Sequence, residues 1–238
     1  MNRLALFALA GALSLTACDS SGPDRVVDLD VRTAADVKAD PNTGRDPDTG
    51  RAISNNLFTL YDLDAGRVVL SSDETDRAVR QRDSASTVWD VGFRGTTVIV
   101  NGGTSGPGAG AAQVLTRTFA SVAEAPASGY VADGSNTACP EVETPGGTFP
   151  GSTNAVCTGS DNGWYNYNGR QNLVTPIPGR TIVLTTGDGG RYAKVRVLSY
   201  YQGAPAAPEP TTDEDRYYTF EYVVQPDGSR GFATTTED

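Results

Sequence analysis

Residues 180–201 read RTIVLTTGDGGRYAKVRVLSYY. Two β-branched, apolar-rich runs flank Gly187-Asp188-Gly189-Gly190, which is the signal of a β-hairpin with a tight glycine turn. The alternation is clearest in the second run. Tyr192, Val195 and Val197 with Phe220 and Tyr222 of the later run YYTFEYVVQ (217–225) are expected to be at least partly buried. Working outward, VWDVGFRGTTVIV (88–100) reads as two strands around Arg94-Gly95, and LFTLYDLDAGRVVL (57–70) as a hairpin around Asp64-Ala65-Gly66. VVDLDVRT (26–33) and VLTRTF (114–119) add further strands. Ser71 and Glu74 have capping-box spacing, and Asp73/Arg77 and Asp76/Arg80 lie four apart, so a short exposed helix is expected before Asp83. No long segment has helical periodicity. The reading is all-β, with antiparallel sheets in a sandwich or open-barrel-like single domain carrying short helical turns.

The first eighteen residues, MNRLALFALAGALSLTAC, hold a positive start, an apolar run too short to span a bilayer, and small residues before Cys18. Leu15-Thr16-Ala17-Cys18 resembles the bacterial lipobox, in which the cysteine becomes the lipidated first residue of the mature chain. This gives a lipoprotein signal peptide over 1–17, lipidation at Cys18, a polar tether over 18–25 and one β domain over 26–238. The membrane partner is then the acyl anchor itself, and the location is the cell envelope, at the outer membrane, on its surface or periplasmic face.

The formal charge is −10, and loss of Arg3 with the leader makes it −11. An acidic surface of this kind argues against nucleic acid as a partner. There is no histidine, and the only methionine is Met1. Ser-His-Asp and Cys-His catalysis and histidine metal sites are thereby excluded. With Cys18 lipidated, Cys139 and Cys157 remain, and an exported pair most simply forms a disulfide worth about 3 kcal/mol for a loop of this length.

Four stretches bear on chemistry. The tandem hexapeptides DPNTGR and DPDTGR (40–51) lack the third ligand and distal Glu of a calcium loop and read as turns. NGGTSGPGAGAA (101–112) lacks the Gly-Lys-[Ser/Thr] of a phosphate loop. Glu141 and Glu143 sit in a Pro/Gly loop with nothing to hold a catalytic spacing, so no enzyme is expected. The aromatic stretch WYNYN (164–168) places Tyr165 and Tyr167 on one face of a strand, near Arg170 in sequence. These read as sheet and rim residues, or as a ligand face.

WDVGFRGTTVIVNGGTSGPGAGAA (89–112), GWYNYN (163–168), GRTIVLTTGDGGRYAKVRVLSYY (179–201) and YTFEYVVQPDGS (218–229) together resemble the HmuY family of lipid-anchored haem-binding proteins. The resemblance spans most of 57–230. It implies an all-β fold, exposure at the outer membrane and delivery of captured haem to an outer-membrane receptor. It also implies haem ligation by histidine or methionine, which this mature chain does not contain. Haem capture would have to use tyrosine, water or no protein ligand. The candidates are Tyr165 and Tyr167, with Tyr130 as an alternative in the loop region and Arg170 to stabilise a phenolate or pair a propionate. The other reading is a member of the family that has lost haem and recognises a glycan or a protein.

Overall fold

The hairpin at 180–201 is the spine of the larger of two facing sheets. The computed structural model describes residues 29–50, 52–144 and 146–232. Strand β13 (Arg180–Thr185) pairs antiparallel with β14 (Tyr192–Tyr201), and β14 pairs with β15 (Asp215–Val224). β8 (Ala111–Thr116) lies on the outer side of β13, and β1 (Arg32–Lys38) on the outer side of β15, giving the order β1-β15-β14-β13-β8. The second sheet runs β5 (Arg67–Leu70), β4 (Thr59–Asp62), β6 (Val91–Arg94), β7 (Thr97–Val100). Three two-stranded ribbons complete the sheets: β2 (Gly44–Arg45) with β3 (Ala52–Ile53), β9 (Val142–Thr144) with β10 (Gly147–Phe149), and β11 (Tyr165–Asn168) with β12 (Leu173–Pro176). The result is a sandwich without a closed barrel.

The period of two sorts side chains to the two faces of each strand. Ile182 and Leu184, Val195 and Val197, Phe220 and Tyr222 point inward to meet Tyr61, Phe93 and Val98 of the second sheet. Tyr61 and Phe93 both pack on Phe220, with ring centroids 5.3 and 5.2 Å away. The five predicted core positions are all buried or half-buried. The alternate residues Val183 and Val223 face the other way, where Leu29, Phe119, Val122 and Phe232 cover them. Lys194 lies on that same face, 3% exposed. It donates to the carbonyls of Phe119 and Val122 at 3.0 Å each, and burial pulls its pKa down. The second sheet's outer face, with Leu60, Leu70 and Ile99, is covered by Trp89 and by Val79 of helix α1 (Arg77–Ser84).

Three local expectations shift. Of the strand expected over 26–33, 29–31 are not strand and Arg32 and Thr33 open β1 (Arg32–Lys38), whose register with β15 shifts between Ala34 and Val37, around Asp36 at φ 52°. Residues 26–28 lie outside the described residues. The helix is capped by Asp76, whose carboxylate accepts from Ala78 and Val79 backbone N–H groups, rather than by Ser71. The strand expected over 114–119 begins at Ala111 and stops at Thr116, since Phe119 turns into the outer cluster.

Cys139 and Cys157 are bonded, as expected from their pairing. The glycine-rich segment 101–112 is a tight wrap around one side chain. Asn101 is fully buried. It donates to the Ser86 and Trp89 carbonyls at 2.9 and 2.7 Å and accepts from Gly108 N at 3.0 Å. A Cβ on Gly106 would lie 2.2 Å from Asn101 Oδ1 and 2.6 Å from Trp89 Cζ2, so a side chain cannot be accommodated there. Two buried aspartates tie the loops in the same way. Asp90 accepts from Leu63 N and Gly187 N, both at 2.8 Å, joining a turn of the second sheet to the hairpin turn of the first. Asp133 accepts from Val100 N at 2.9 Å and Ala155 N at 2.7 Å, joining β7 to the disulfide loop.

Candidate functional site

The cleft of interest lies at the end of the sandwich where β1 stops, β15 starts and β6 turns into β7. It has a volume of about 390 Å³ and is lined by Asp40, Ser54, Asn56, Arg94, Gly95, Thr96, Thr97, Tyr200 and Arg216. Its frame is rigid for identifiable reasons. The β6–β7 turn is held by Gly95 N donating to Ala39 O at 2.7 Å and by the Tyr218 hydroxyl donating to Gly95 O at 3.0 Å. Trp164 Nε1 donates to Thr96 O at 2.9 Å. Beneath the turn, Trp164, Tyr200 and Tyr218 pack as one aromatic cluster with centroids 5.0–6.0 Å apart.

The charged groups are arranged unequally. Arg94 lies over the Phe58 ring at 4.4 Å and has no carboxylate partner among the described residues. Arg216 sits at φ 65°, a left-handed conformation uncommon for a residue with a Cβ. Its Nη1 donates to Asp40 O at 2.9 Å and lies 3.9 Å from Asp40 Oδ2. Asp40 itself is 3% exposed. Its Oδ2 accepts from Asn56 N at 3.1 Å, whereas Oδ1 is buried with no hydrogen-bond partner. The Tyr200 hydroxyl is pushed well above its ordinary pKa by burial, with Arg216 beside it opposing the shift.

The residues expected from the sequence are not one constellation. Tyr165 and Tyr167 do share a face of β11, but Tyr165 is buried against Trp164, with centroids 5.1 Å apart, while Tyr167 is 43% exposed. The Tyr167 hydroxyl donates to Asn172 Oδ1 at 3.0 Å. Arg170 is exposed at the tip of the β11–β12 hairpin, with its backbone N–H on Asn168 Oδ1 and no ion pair among the described residues. Tyr130 is elsewhere, in the outer cluster against Tyr192, with centroids 5.8 Å apart and its hydroxyl buried without a partner. Cys18 lies outside the described residues. Burial raises the pKa of Tyr61, Tyr130, Tyr200, Tyr201, Tyr217 and Tyr218, so these phenols resist ionisation. Tyr167 is the one tyrosine in the exposed class among the described residues.

The hairpin borders a second, more acidic cleft of about 240 Å³, where Asn172 and Arg45 face Asp213, Glu214 and Asp215. A larger open groove of about 570 Å³ runs between the edge strands β1 and β5, and is crossed by the Lys38–Asp73 ion pair and by Arg32 donating to Asp64 O. At the opposite end, Asp62, Asp64, Asp90 and Asp188 surround Arg191. Their carboxylates are committed to Arg191 and to backbone N–H groups. No group of three or more potential metal ligands exists among the described residues. In the first hexapeptide repeat Asp40 is buried under the Arg216 cleft, and in the second Asp46 Oδ1 accepts from Asp48 N and Thr49 N, a turn as expected.

Fold and clefts together define a two-sheet β sandwich with ligand-sized recesses formed by its loops. A family model described as HmuY protein matches residues 54–222, and the chain belongs to the HmuY family, whose members are binding proteins. Among solved structures, the chain is similar to the crystal structure of an apo HmuY analog from Tannerella forsythia. The match has 16% identity and a TM-score of 0.40, over 84% of this chain and 96% of that one. No curated protein matches the chain.

Proposed function

We propose that this is a lipid-anchored binding protein of the cell envelope, held at the outer membrane through Cys18, that captures a haem-type tetrapyrrole and passes it to a receptor. The observation that carries this reading is the family match across residues 54–222, on a chain whose first eighteen residues read as a lipoprotein leader. With no histidine and no mature methionine, the iron of ferric haem would take a tyrosine phenolate, water or no protein ligand, and we assign the phenolate. Tyr167 is the tyrosine whose ring is open to solvent, and it would exchange its hydrogen bond to Asn172 for the metal. Arg170, unpaired at the hairpin tip, is placed to meet a propionate.

The polarity of the molecule suits such a role. Leu29, the first described residue, packs beside Val223 at the end of β15, whereas Arg216 and the cleft lie at its start. A ten-residue strand is about 30 Å long, so Leu29 and the cleft lie towards opposite ends of β15. The test is a haemin titration of the full-length protein. A stoichiometric Soret shift with a phenolate charge-transfer band, lost in Tyr167→Phe, is expected. No shift above micromolar background would overturn haem capture and leave the reading of a family member that recognises a glycan or protein. One observation favours that second reading: no aliphatic side chain lines the Arg94–Arg216 cleft.

A further inference from the structure

We propose that the cleft between Arg94 and Arg216 is a binding site for a small hydroxylated carboxylate of the acidic-sugar class, such as a uronic acid. This inference does not depend on haem uptake.

The argument starts from charge. The protein carries 29 acidic residues against 19 basic ones, so a partly buried guanidinium has ample opportunity to acquire a carboxylate. Arg94 has none among the described residues, and its one contact is the face of Phe58. That ring fixes the guanidinium plane and leaves its donor edge free. Arg216 commits Nη1 to the Asp40 carbonyl at 2.9 Å and lies 3.9 Å from Asp40 Oδ2, so its charge is shared with that buried carboxylate. Its left-handed backbone costs on the order of 1 kcal/mol for a non-glycine residue, yet the position holds an arginine directed at the cleft. Arg94, with its donor edge free, and the neighbouring positive charge of Arg216 on one recess recognise a carboxylate, because the planar fork matches its two oxygens.

The remaining lining selects what else the ligand carries. Ser54, Thr96 and Thr97 offer hydroxyls and Asn56 an amide, while Tyr200 supplies the only ring. An aliphatic acid would place its chain against polar groups and leave them unpaired, which is costly. A ligand with neighbouring hydroxyls would satisfy them. Asp40 completes the set. It is 3% exposed and holds its negative charge beneath Arg216, so the uncompensated positive charge at the cleft is that of Arg94. The volume of about 390 Å³ falls in the range of small-molecule sites. The frame is set before the ligand arrives, since Ala39, Trp164 and Tyr218 pin the β6–β7 turn, so little ordering cost falls on binding.

The experiment is calorimetric titration of the full-length protein in detergent with glucuronate, glucose and butyrate. One-to-one binding of glucuronate is expected, with glucose and butyrate each at least ten-fold weaker. Arg94→Gln should weaken glucuronate at least ten-fold while leaving the thermal midpoint within a few degrees of wild type, since its side chain has no ion pair among the described residues and loses only the contact with Phe58. Arg216→Gly suits the left-handed backbone at that position and serves as the second variant, with the same loss expected. Absence of glucuronate binding up to 10 mM overturns the proposal, as does equal binding of glucose or butyrate. Unchanged affinity in both folded variants would overturn it too.

Discussion

Replacing Asp90 by Asn tests the clamp that joins the two sheets, and pH provides the lever. Asp90 is 4% exposed and accepts two backbone N–H groups. Burial raises its pKa to about 6 from an ordinary 3.8, with the charges of Asp62 and Asp188 adding to the rise and the two N–H bonds opposing it. At 1.36 kcal/mol per pH unit, the gap corresponds to about 3 kcal/mol. The sign follows from linkage. The folded state holds this proton more tightly than the unfolded one, so Asp90's contribution is complete below pH 3.8 and is lost as pH rises through 6. Asp46, Asp83, Asp188 and Asp227 are shifted down by hydrogen bonds and titrate with the opposite sign, so the wild-type curve alone would blend the two. The difference between wild type and Asp90→Asn isolates the one group. At pH 4 the variant should be less stable by about 1–3 kcal/mol, because its amide can accept only one of the two N–H groups. By pH 7.5 that deficit should shrink by about 3 kcal/mol, toward zero or past it. Urea unfolding followed by tryptophan fluorescence at half-unit pH steps gives both curves. A difference that stays flat from pH 4 to 8, or widens as pH rises, would refute the reasoning.

Reducing Cys139–Cys157, or replacing both by Ala, should cost about 3 kcal/mol for the freed loop. The native protein should show no reactive thiol in this pair, and both readouts come from thiol counting with denaturant midpoints. Gly106→Ala should destabilise by several kcal/mol, since its Cβ would overlap Asn101 Oδ1 and Trp89. A midpoint within 0.5 kcal/mol of wild type would contradict the wrapped-loop description. Cys18→Ser should release the protein from membranes into the soluble fraction, and a variant that still fractionates with membranes like wild type would dismiss the lipid anchor.

Much of the fold was legible because its signals are local. The 180–201 hairpin announces itself by a period of two around a glycine turn, and β14 and β15 follow from the same pattern. What escaped the sequence depends on contacts made at a distance. β1 carries a bulge at Asp36 that breaks its alternation, a feature set by its pairing with β15 rather than by its own sequence. The β11–β12 ribbon was half seen: WYNYN was noticed, but Leu173–Pro176 is a four-residue partner without a distinctive pattern of its own. The clamps were invisible. Asp90 reaches Gly187 across 97 positions and Asp133 reaches Val100 across 33, and a lone polar residue in a sequence does not reveal a buried partner.

The cleft was missed for a deeper reason. Within the stretches that carry the family resemblance, Trp89, Asp90, Asn101 and Gly187 are joined in one hydrogen-bond network. Asp90 holds Gly187, Asn101 holds Trp89, and Gly187 O in turn accepts from Ala109 N at 2.9 Å. Such residues specify a scaffold, and they would be required whatever the protein bound. The side chains that face the cleft come from four separate places: the end of β1, the segment after β3, the β6–β7 turn and the strands β14 and β15. None belongs to a spaced motif, and Arg94 read from sequence is only the residue before a turn glycine. This division is consistent with the chain matching the family over 54–222 while it contains no histidine and no methionine beyond Met1. The scaffold network contains neither residue type, so its demands are met without them. Ligand chemistry is written on loops that the scaffold positions, and the motifs that carry the family resemblance do not specify it.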